Sequence, residues 1–113
     1  MTSLRLNREL VLESQTRSGD GAGGFSRNWT ALGTLWGSVR PRTGRMTSEG
    51  EAGSVSVSAF QVIVRATPVG AAQRPKPGQR FRMGSRIFQI LAVTEDEPEI
   101  RYLLCECREE TVS

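Results

Sequence analysis

The sequence predicts an all-β fold, a small antiparallel β-barrel or sandwich of about six strands with long loops. Apolar and polar residues alternate in short runs, which is the period of a strand rather than of a helix. Twelve glycines and five prolines interrupt these runs, as frequent turns require. The 113 residues, 37% of them hydrophobic, suit one domain with a modest core. We therefore expect residues 1–113 to form a single β domain.

The first half of the chain predicts two strands and two long loops. Strands are predicted at Glu9–Ser14 and Thr34–Arg40. Because proline has no N–H to donate, the second strand should end at Pro41 or lie at a sheet edge there. The Gly- and Ser-rich segment 16–28 is predicted as a loop. Segment 42–54 has neither a strand nor a helix period, so it is predicted as the other long loop.

The second half predicts four strands around a tight hairpin. The longest strand signal is Ser54–Thr67, whose apolar parity changes near Ala59 and indicates a bulge or an extended arm there. Strands Gln79–Met83 and Arg86–Val93 form a hairpin that turns at Gly84-Ser85. Both faces of Arg86–Val93 are partly apolar, which predicts cover on two sides. Ile100–Arg108 is the last predicted strand.

The two cysteines and Trp36 allow predictions beyond secondary structure. Cys105 and Cys107 are two positions apart, so they share a strand face with Cβ atoms too far apart for an easy disulfide. We interpret them as small strand residues of a protein in a reducing compartment. Trp36 is interpreted as a core or interface anchor in preference to a ligand-stacking residue.

Catalytic and metal-binding groups are scarce in the sequence. The chain has no histidine, its carboxylates cluster in turns and in the C-terminal part, and no phosphate-binding loop occurs. We therefore expect no enzyme activity, no metal site and no cofactor. No apolar run approaches the length of a membrane helix, and the first residues lack a signal-peptide pattern, so neither membrane insertion nor secretion is expected.

Charge is distributed unevenly along the chain, whose formal net charge is +3. The residues between Ala52 and Thr94 contain no acid, whereas acids dominate from Glu95 onward. This asymmetry fits either contact with a polyanion or head-to-tail assembly of copies; for any single charge, solvated surface is the alternative. The candidate basic residues, at a subunit interface or facing DNA, are Arg40, Arg65, Arg80, Arg82 and Arg86. The candidate acidic interface comprises Glu95, Asp96, Glu97 and Glu99.

An ordered set of tracts in this chain resembles a known family. The tracts are LNRELVLESQ, TLWGSVRPRTGR, FQVIVRATPVG and PGQRFRMGSRIFQILAVTEDEPEIRYLLCECRE, which together extend from about Leu6 to Glu109. They are similar to the head–tail joining proteins of long-tailed phages and phage-derived particles, also termed head–tail adaptor, head-closure or stopper proteins. The chain departs from the family after Gly44, where members often have a Gln/Ala-rich helical turn and this sequence reads TSEGEAGSVS.

The resemblance implies a structural role in a head–tail connector. Such a protein forms a ring, here expected as a hexamer or dodecamer, between a portal-bound adaptor above and a tail terminator or tail tube below. The ring closes the channel for double-stranded DNA after packaging and docks the tail. The implied location is the neck of a virion or phage-like particle, after assembly in the bacterial cytoplasm. The resemblance leaves open whether the protein is the portal-proximal adaptor or the tail-proximal stopper. It also leaves open whether the particle is a phage or a gene transfer agent.

The resemblance also implies a channel-gating loop, although which loop seals the channel stays open. The candidate gating residues are Arg42, Thr43, Gly44, Arg45, Met46, Thr47, Ser48, Glu49, Gly50 and Glu51. A different hypothesis is a stand-alone nucleic-acid-binding β-barrel that uses Arg80, Arg82 and Arg86 of the hairpin. Its weakness is the small number of aromatic residues for base stacking.

Overall fold

A computed structural model describes residues 5–19, 25–42, 58–96 and 99–110, and these residues form a closed antiparallel barrel. Its strand order is β1-β2-β3-β6-β5-β4, with β4 returning to pair with β1. The described residues contain no helix, hence none long and apolar enough to cross a membrane. The predicted all-β fold of six strands is confirmed, and of the two predicted forms, barrel and sandwich, the chain adopts the barrel. Its strands are β1 (Arg8–Gly19), β2 (Phe25–Pro41), β3 (Ala59–Arg65), β4 (Arg80–Met83), β5 (Arg86–Glu95) and β6 (Tyr102–Glu109).

The β1–β2 hairpin is much longer than the sequence predicted. Segment 16–28 was predicted as a loop, yet Thr16–Gly19 pairs residue by residue with Phe25–Asn28, and the Thr16 hydroxyl donates a hydrogen bond to the carbonyl of Asn28 at 3.2 Å. The prediction was wrong there because backbone pairing needs no apolar alternation. Residues 20–24 lie outside the described residues.

The barrel interior is filled by the inward faces of all six strands. Phe60 and Phe88 pack edge to face in it, with ring centroids 5.2 Å apart and planes at 73°. This is a favoured aromatic geometry. On β6, the predicted common face is confirmed, because Leu103, Cys105 and Cys107 are all buried. The core comprises Leu10, Leu12, Phe60, Val62, Val64, Phe81, Phe88, Ile90, Leu103, Cys105 and Cys107.

A bulge in β5 explains why both of its faces are apolar in the sequence. Ile90 pairs with Cys107, but Ala92 pairs with the preceding residue of β6, so Leu91 is the extra residue. Ile90 is buried before the bulge and Val93 packs against the core after it, while Leu91 is 55% exposed. The prediction that β5 is covered on two sides was wrong, since the bulge moves the inward face to the other parity.

The antiparallel order decides which connections share an end of the barrel. The end of β2, the start of β3 and the Gly84-Ser85 turn between β4 and β5 lie at one end. The 66–79 connection, the end of β5 and the start of β6 lie at the other. As predicted, β2 ends at Pro41, and Gly84 has the positive φ, 62°, that the turn needs. β3 begins at Ala59, where the parity changes; residues 54–57 lie outside the described residues.

Candidate functional site

Two of the predicted basic residues hold the seam between β1 and β4. Arg80 Nε donates to Glu13 Oε1 at 2.7 Å, and Arg82 Nε donates to Glu13 Oε2 at 2.9 Å. The Glu13 side chain is only 8% exposed. Burial raises the pKa of this carboxyl. The two hydrogen bonds and the two guanidinium charges together lower it by more, so the pKa lies below its ordinary value.

The position of Glu13 follows from strand pairing. The seam contains three residue pairs: Val11 with Arg82, Leu12 with Phe81 and Glu13 with Arg80. Leu12 and Phe81 face the core, so Glu13 and both arginines lie on the outer face of the sheet.

A tryptophan covers this ion-paired cluster. The guanidinium of Arg80 lies 4.0 Å from the ring centroid of Trp29, at cation–π distance. The Arg80 side chain is only 17% exposed. Arg80 and Arg82 therefore act within the chain as a closure for the barrel, which leaves less of their charge for a nucleic acid.

The predicted basic residue Arg86 is also paired within the chain. Its Nε and Nη2 donate to the two carboxylate oxygens of Glu109 at 2.8 and 2.9 Å. These hydrogen bonds raise the pKa of Arg86 and lower that of Glu109. The guanidinium also lies 5.4 and 5.0 Å from the ring centroids of Phe60 and Phe88. Arg86 thus covers the core near the Gly84-Ser85 end of the barrel.

The remaining candidate residues are distributed over the surface. Arg40, Arg65 and Asp96 are exposed. The acidic candidates Glu95 and Glu99 accept from Arg74 at 3.0 Å and from Arg101 at 2.9 Å. The structure does not bring the three described acidic candidates, Glu95, Asp96 and Glu99, together with Arg80, Arg82 or Arg86. Glu97 lies outside the described residues.

Of the candidate gating residues, the structure describes Arg42 alone. Its backbone N–H donates to the carbonyl of Ala59 at 2.7 Å, and its Nη1 donates to Glu106 at 2.8 Å. These contacts fix the base of the segment that follows. The other nine, residues 43–51, lie outside the described part of the chain.

Two grooves flank the β1–β2 hairpin where it leaves the barrel. The first, about 430 Å³ in volume, separates β2 from the end of β3 and is lined by Leu6, Thr34, Leu35, Trp36, Arg65, Ala66 and Thr67. Trp36 was interpreted as a core or interface anchor. Its side chain is 54% exposed, which excludes the core. The second groove, about 460 Å³, lies between β1 and β5 and is lined by Gln15, Trp29, Pro77, Gly78, Gln79, Gln89, Ile90 and Leu91.

The described residues offer neither a metal-binding cluster nor a reactive thiol. They contain no group of three or more Cys, Asp or Glu that would hold a metal ion. Burial raises the pKa of the Cys105 thiol to about 12, and it also raises that of Cys107. The two thiols are therefore protonated and poor nucleophiles at neutral pH.

Sequence reasoning missed Glu13, Leu91 and Thr67. Glu13 is the shared partner of two nominated arginines, but it lies 67 residues before Arg80. The parity change in β5 is the signal that pointed to Leu91. The buried Thr67 hydroxyl oxygen has no hydrogen-bond partner among the described residues, and no sequence signal marks it.

Comparisons with known proteins agree with this fold. A solved chain from the virion of a native gene transfer agent particle is 50% identical, with a TM-score of 0.76; the match covers 96% of this chain and 98% of that chain. The solution structure of protein SF1141 from Shigella flexneri 2a is 18% identical, with a TM-score of 0.69 and 96% of both chains covered, and supports the fold alone. No curated protein matches.

A family comparison covers nearly the whole chain. The matching family is described as phage head completion protein, and the match spans residues 1–110. It agrees with the ordered tracts of the sequence and with the small antiparallel barrel that they implied. The chain is a member of the phage head completion protein family.

Proposed function

We propose that this protein is a structural component of the head–tail connector of a phage-like particle. In this proposal, copies form a ring that closes the DNA channel after packaging and presents a docking surface for the tail. The neighbours of the ring are a portal-bound adaptor on one side and a tail terminator or tail tube on the other. Double-stranded DNA passes through the ring.

The observation that carries the proposal is the similarity to a chain of a gene transfer agent virion. Half of the aligned residues are identical, and the match covers both chains almost completely. Such similarity over the whole length supports a common fold and a related role. A particle component is therefore the function that the comparisons favour for this chain.

The point at which the candidate gating loop leaves the barrel supports a role in sealing the channel. The loop, residues 42–54, leaves the barrel after Pro41, and the hydrogen bond from Arg42 N to the carbonyl of Ala59 closes its base. In the proposal, this loop reaches the ring axis in each copy.

Electron microscopy of purified particles tests the location. We expect a symmetric ring of this protein in the particle neck, with the loop end of the barrel towards the channel. Particles that lack the protein, or that carry it away from the neck, would contradict the proposal. A monomer in dilute solution would not, because the ring is expected to form on the assembled head.

Shortening the loop tests the seal separately from the location. Residues 44–53 are replaced by a short Gly-Ser linker that keeps Arg42 and Ala59, so the barrel should fold, since loop length changes closure entropy only slowly. The matched control keeps the full length but changes Arg45, Glu49 and Glu51 to Ser. We expect particles with the short loop to lose packaged DNA, measured by nuclease sensitivity, and the control to retain it. Full retention in both would assign the seal to another element.

A further inference from the structure

The β1–β2 hairpin extends beyond the strands that flank it and leaves two backbone edges uncovered. β4 pairs with β1 only from Val11 to Glu13, and β3 pairs with β2 only from Gly37 to Pro41. Among the described residues, no backbone pairs with the outer edge of β1 over 14–19 or of β2 over 25–36. We term this two-stranded part of the hairpin, residues 14–19 and 25–36, the arm.

The two edges lie on opposite sides of the arm, and each runs into one of the grooves. The β2 edge meets the groove that contains Trp36, 54% exposed. Thr67 lines the same groove, and its buried hydroxyl oxygen has no hydrogen-bond partner within the part of the chain that the structure describes. The β1 edge meets the groove that contains Gln15 and Leu91, 55% exposed. Each edge therefore combines unpaired backbone with an exposed large apolar side chain.

Resting on the proposed ring function, we propose that the arms join neighbouring copies. The uncovered edge of β1 in one copy pairs with the uncovered edge of β2 in the next. Because β1 and β2 are antiparallel, an antiparallel contact between β2 of one copy and β1 of the next keeps strand direction alternating from copy to copy. The arms of a closed ring would then form one continuous intersubunit sheet.

A second copy fits these edges better than another occupant does. A closed ring needs two different surfaces on every copy, each complementary to the other, and the arm presents two different edges on opposite sides. Isolated two-stranded ribbons are marginally stable in water, and uncovered edges invite pairing. Pairing between copies would stabilise the arm. Arg65 is the one basic residue among the described residues that line the two grooves, which disfavours DNA as the occupant.

Cysteine cross-linking tests this contact. In the double variant Gln15→Cys/Thr34→Cys, both positions are exposed. Within one chain Thr34 pairs with Val11, four residues from Gln15, a separation of about 13 Å along the strand. That separation is beyond the reach of a disulfide within one chain. The register between copies decides whether residue 15 or residue 16 of one copy faces residue 34 of the next, so Thr16→Cys/Thr34→Cys is tested as well. A short bismaleimide cross-linker is used in addition to oxidation. The native thiols Cys105 and Cys107 are buried.

The expected result is a ladder of covalent multimers from purified particles for at least one double variant. The matched control Ser85→Cys/Thr34→Cys, with Ser85 in the turn at the other end of the barrel, should give none. A ring seen in the neck without any ladder would overturn the arm contact and leave the proposed function standing. Equal dimers from Gln15→Cys alone would indicate a symmetric contact and also overturn it. Absence of the protein from particles would overturn both.

Discussion

The substitution Glu13→Gln tests whether the ion-paired cluster holds the barrel closed. The β1–β4 seam has three residue pairs, fewer than any other strand pairing in the barrel. The next smallest, β4–β5, has four. Glu13 accepts from both Arg80 and Arg82 across this seam. A glutamine has nearly the same shape, so the substitution removes the charge and leaves the packing unchanged. The two guanidinium groups then face each other without a counter-charge.

The expected loss of stability follows from the burial of the three side chains. Glu13 is 8% exposed and Arg80 is 17% exposed, which is close to a buried pair, whereas Arg82 is 43% exposed. Removing one partner of a fully buried pair costs about 3–5 kcal/mol, and exposed pairs contribute about 0–1 kcal/mol. We therefore expect Glu13→Gln to lower the free energy of unfolding by about 2–3 kcal/mol.

The loss should also depend on pH. Because the folded pKa of Glu13 lies below the ordinary value of 4.5, the carboxylate stabilises the fold at and above that pH. This contribution is lost as the pH falls through the folded pKa. The difference between wild type and Glu13→Gln should be constant near neutral pH and shrink under acid. Urea unfolding, followed by the fluorescence of the two tryptophans, Trp36 and the Trp29 that lies beside Arg80, measures this difference at each pH.

The matched control is Glu109→Gln, the same change in a carboxylate that binds Arg86 with both oxygens. Arg86 is 43% exposed and Glu109 is 22% exposed, so the expected loss is about 1 kcal/mol or less. Equal losses in the two variants, or a Glu13→Gln loss that is the same at all pH values, would refute the assignment of the cluster as the closure of the barrel.

Two further predictions concern the core. In Gly37→Ala, the new Cβ would lie 2.8 Å from the carbonyl oxygen of Ile63, a backbone atom, so we expect a loss of about 1–3 kcal/mol by overpacking; an unchanged urea midpoint would contradict the close approach of β2 and β3. Because Cys105 and Cys107 are buried and their thiol pKa values are raised, a thiol reagent should label them only after unfolding. Rapid labelling of the native protein in mildly alkaline buffer would show that β6 opens.

Local signals in the sequence were sufficient for much of the barrel. The β4–β5 hairpin was predicted from a glycine between two alternating runs, and the end of β2 from Pro41, which cannot continue a ladder. The polar part of the arm was not predictable in the same way. Its residues pair through the backbone, and neither face of Thr16–Gly19 carries the apolar alternation that marks a strand buried on one side.

The charged cluster at the seam was not predictable because it depends on closure of the barrel. Glu13 contacts Arg80 and Arg82 only after β4, the fourth strand in sequence, returns to the first. The alternation Arg80-Phe81-Arg82 does indicate two arginines on one strand face. It does not indicate which carboxylate faces them, since that choice is set by the strand order and the register. Arg80 and Arg82, which were predicted to contact DNA or a neighbouring subunit, thus bind Glu13 of the same chain.

The same reasoning bears on how copies associate. The basic middle and acidic end of the sequence fitted head-to-tail attraction, yet in the fold Arg86 pairs with Glu109 and Arg74 with Glu95 within one chain. Contacts through the arm edges depend instead on backbone hydrogen bonds and apolar side chains. Raising the salt from about 0.1 M to about 1 M shortens the Debye length from about 10 Å to about 3 Å and should leave such contacts intact. We expect particles washed at both salt concentrations to retain equal amounts of the protein, measured by quantitative mass spectrometry. Selective loss at high salt would mean that exposed charges, such as Arg40 and Arg65, hold the copies in place.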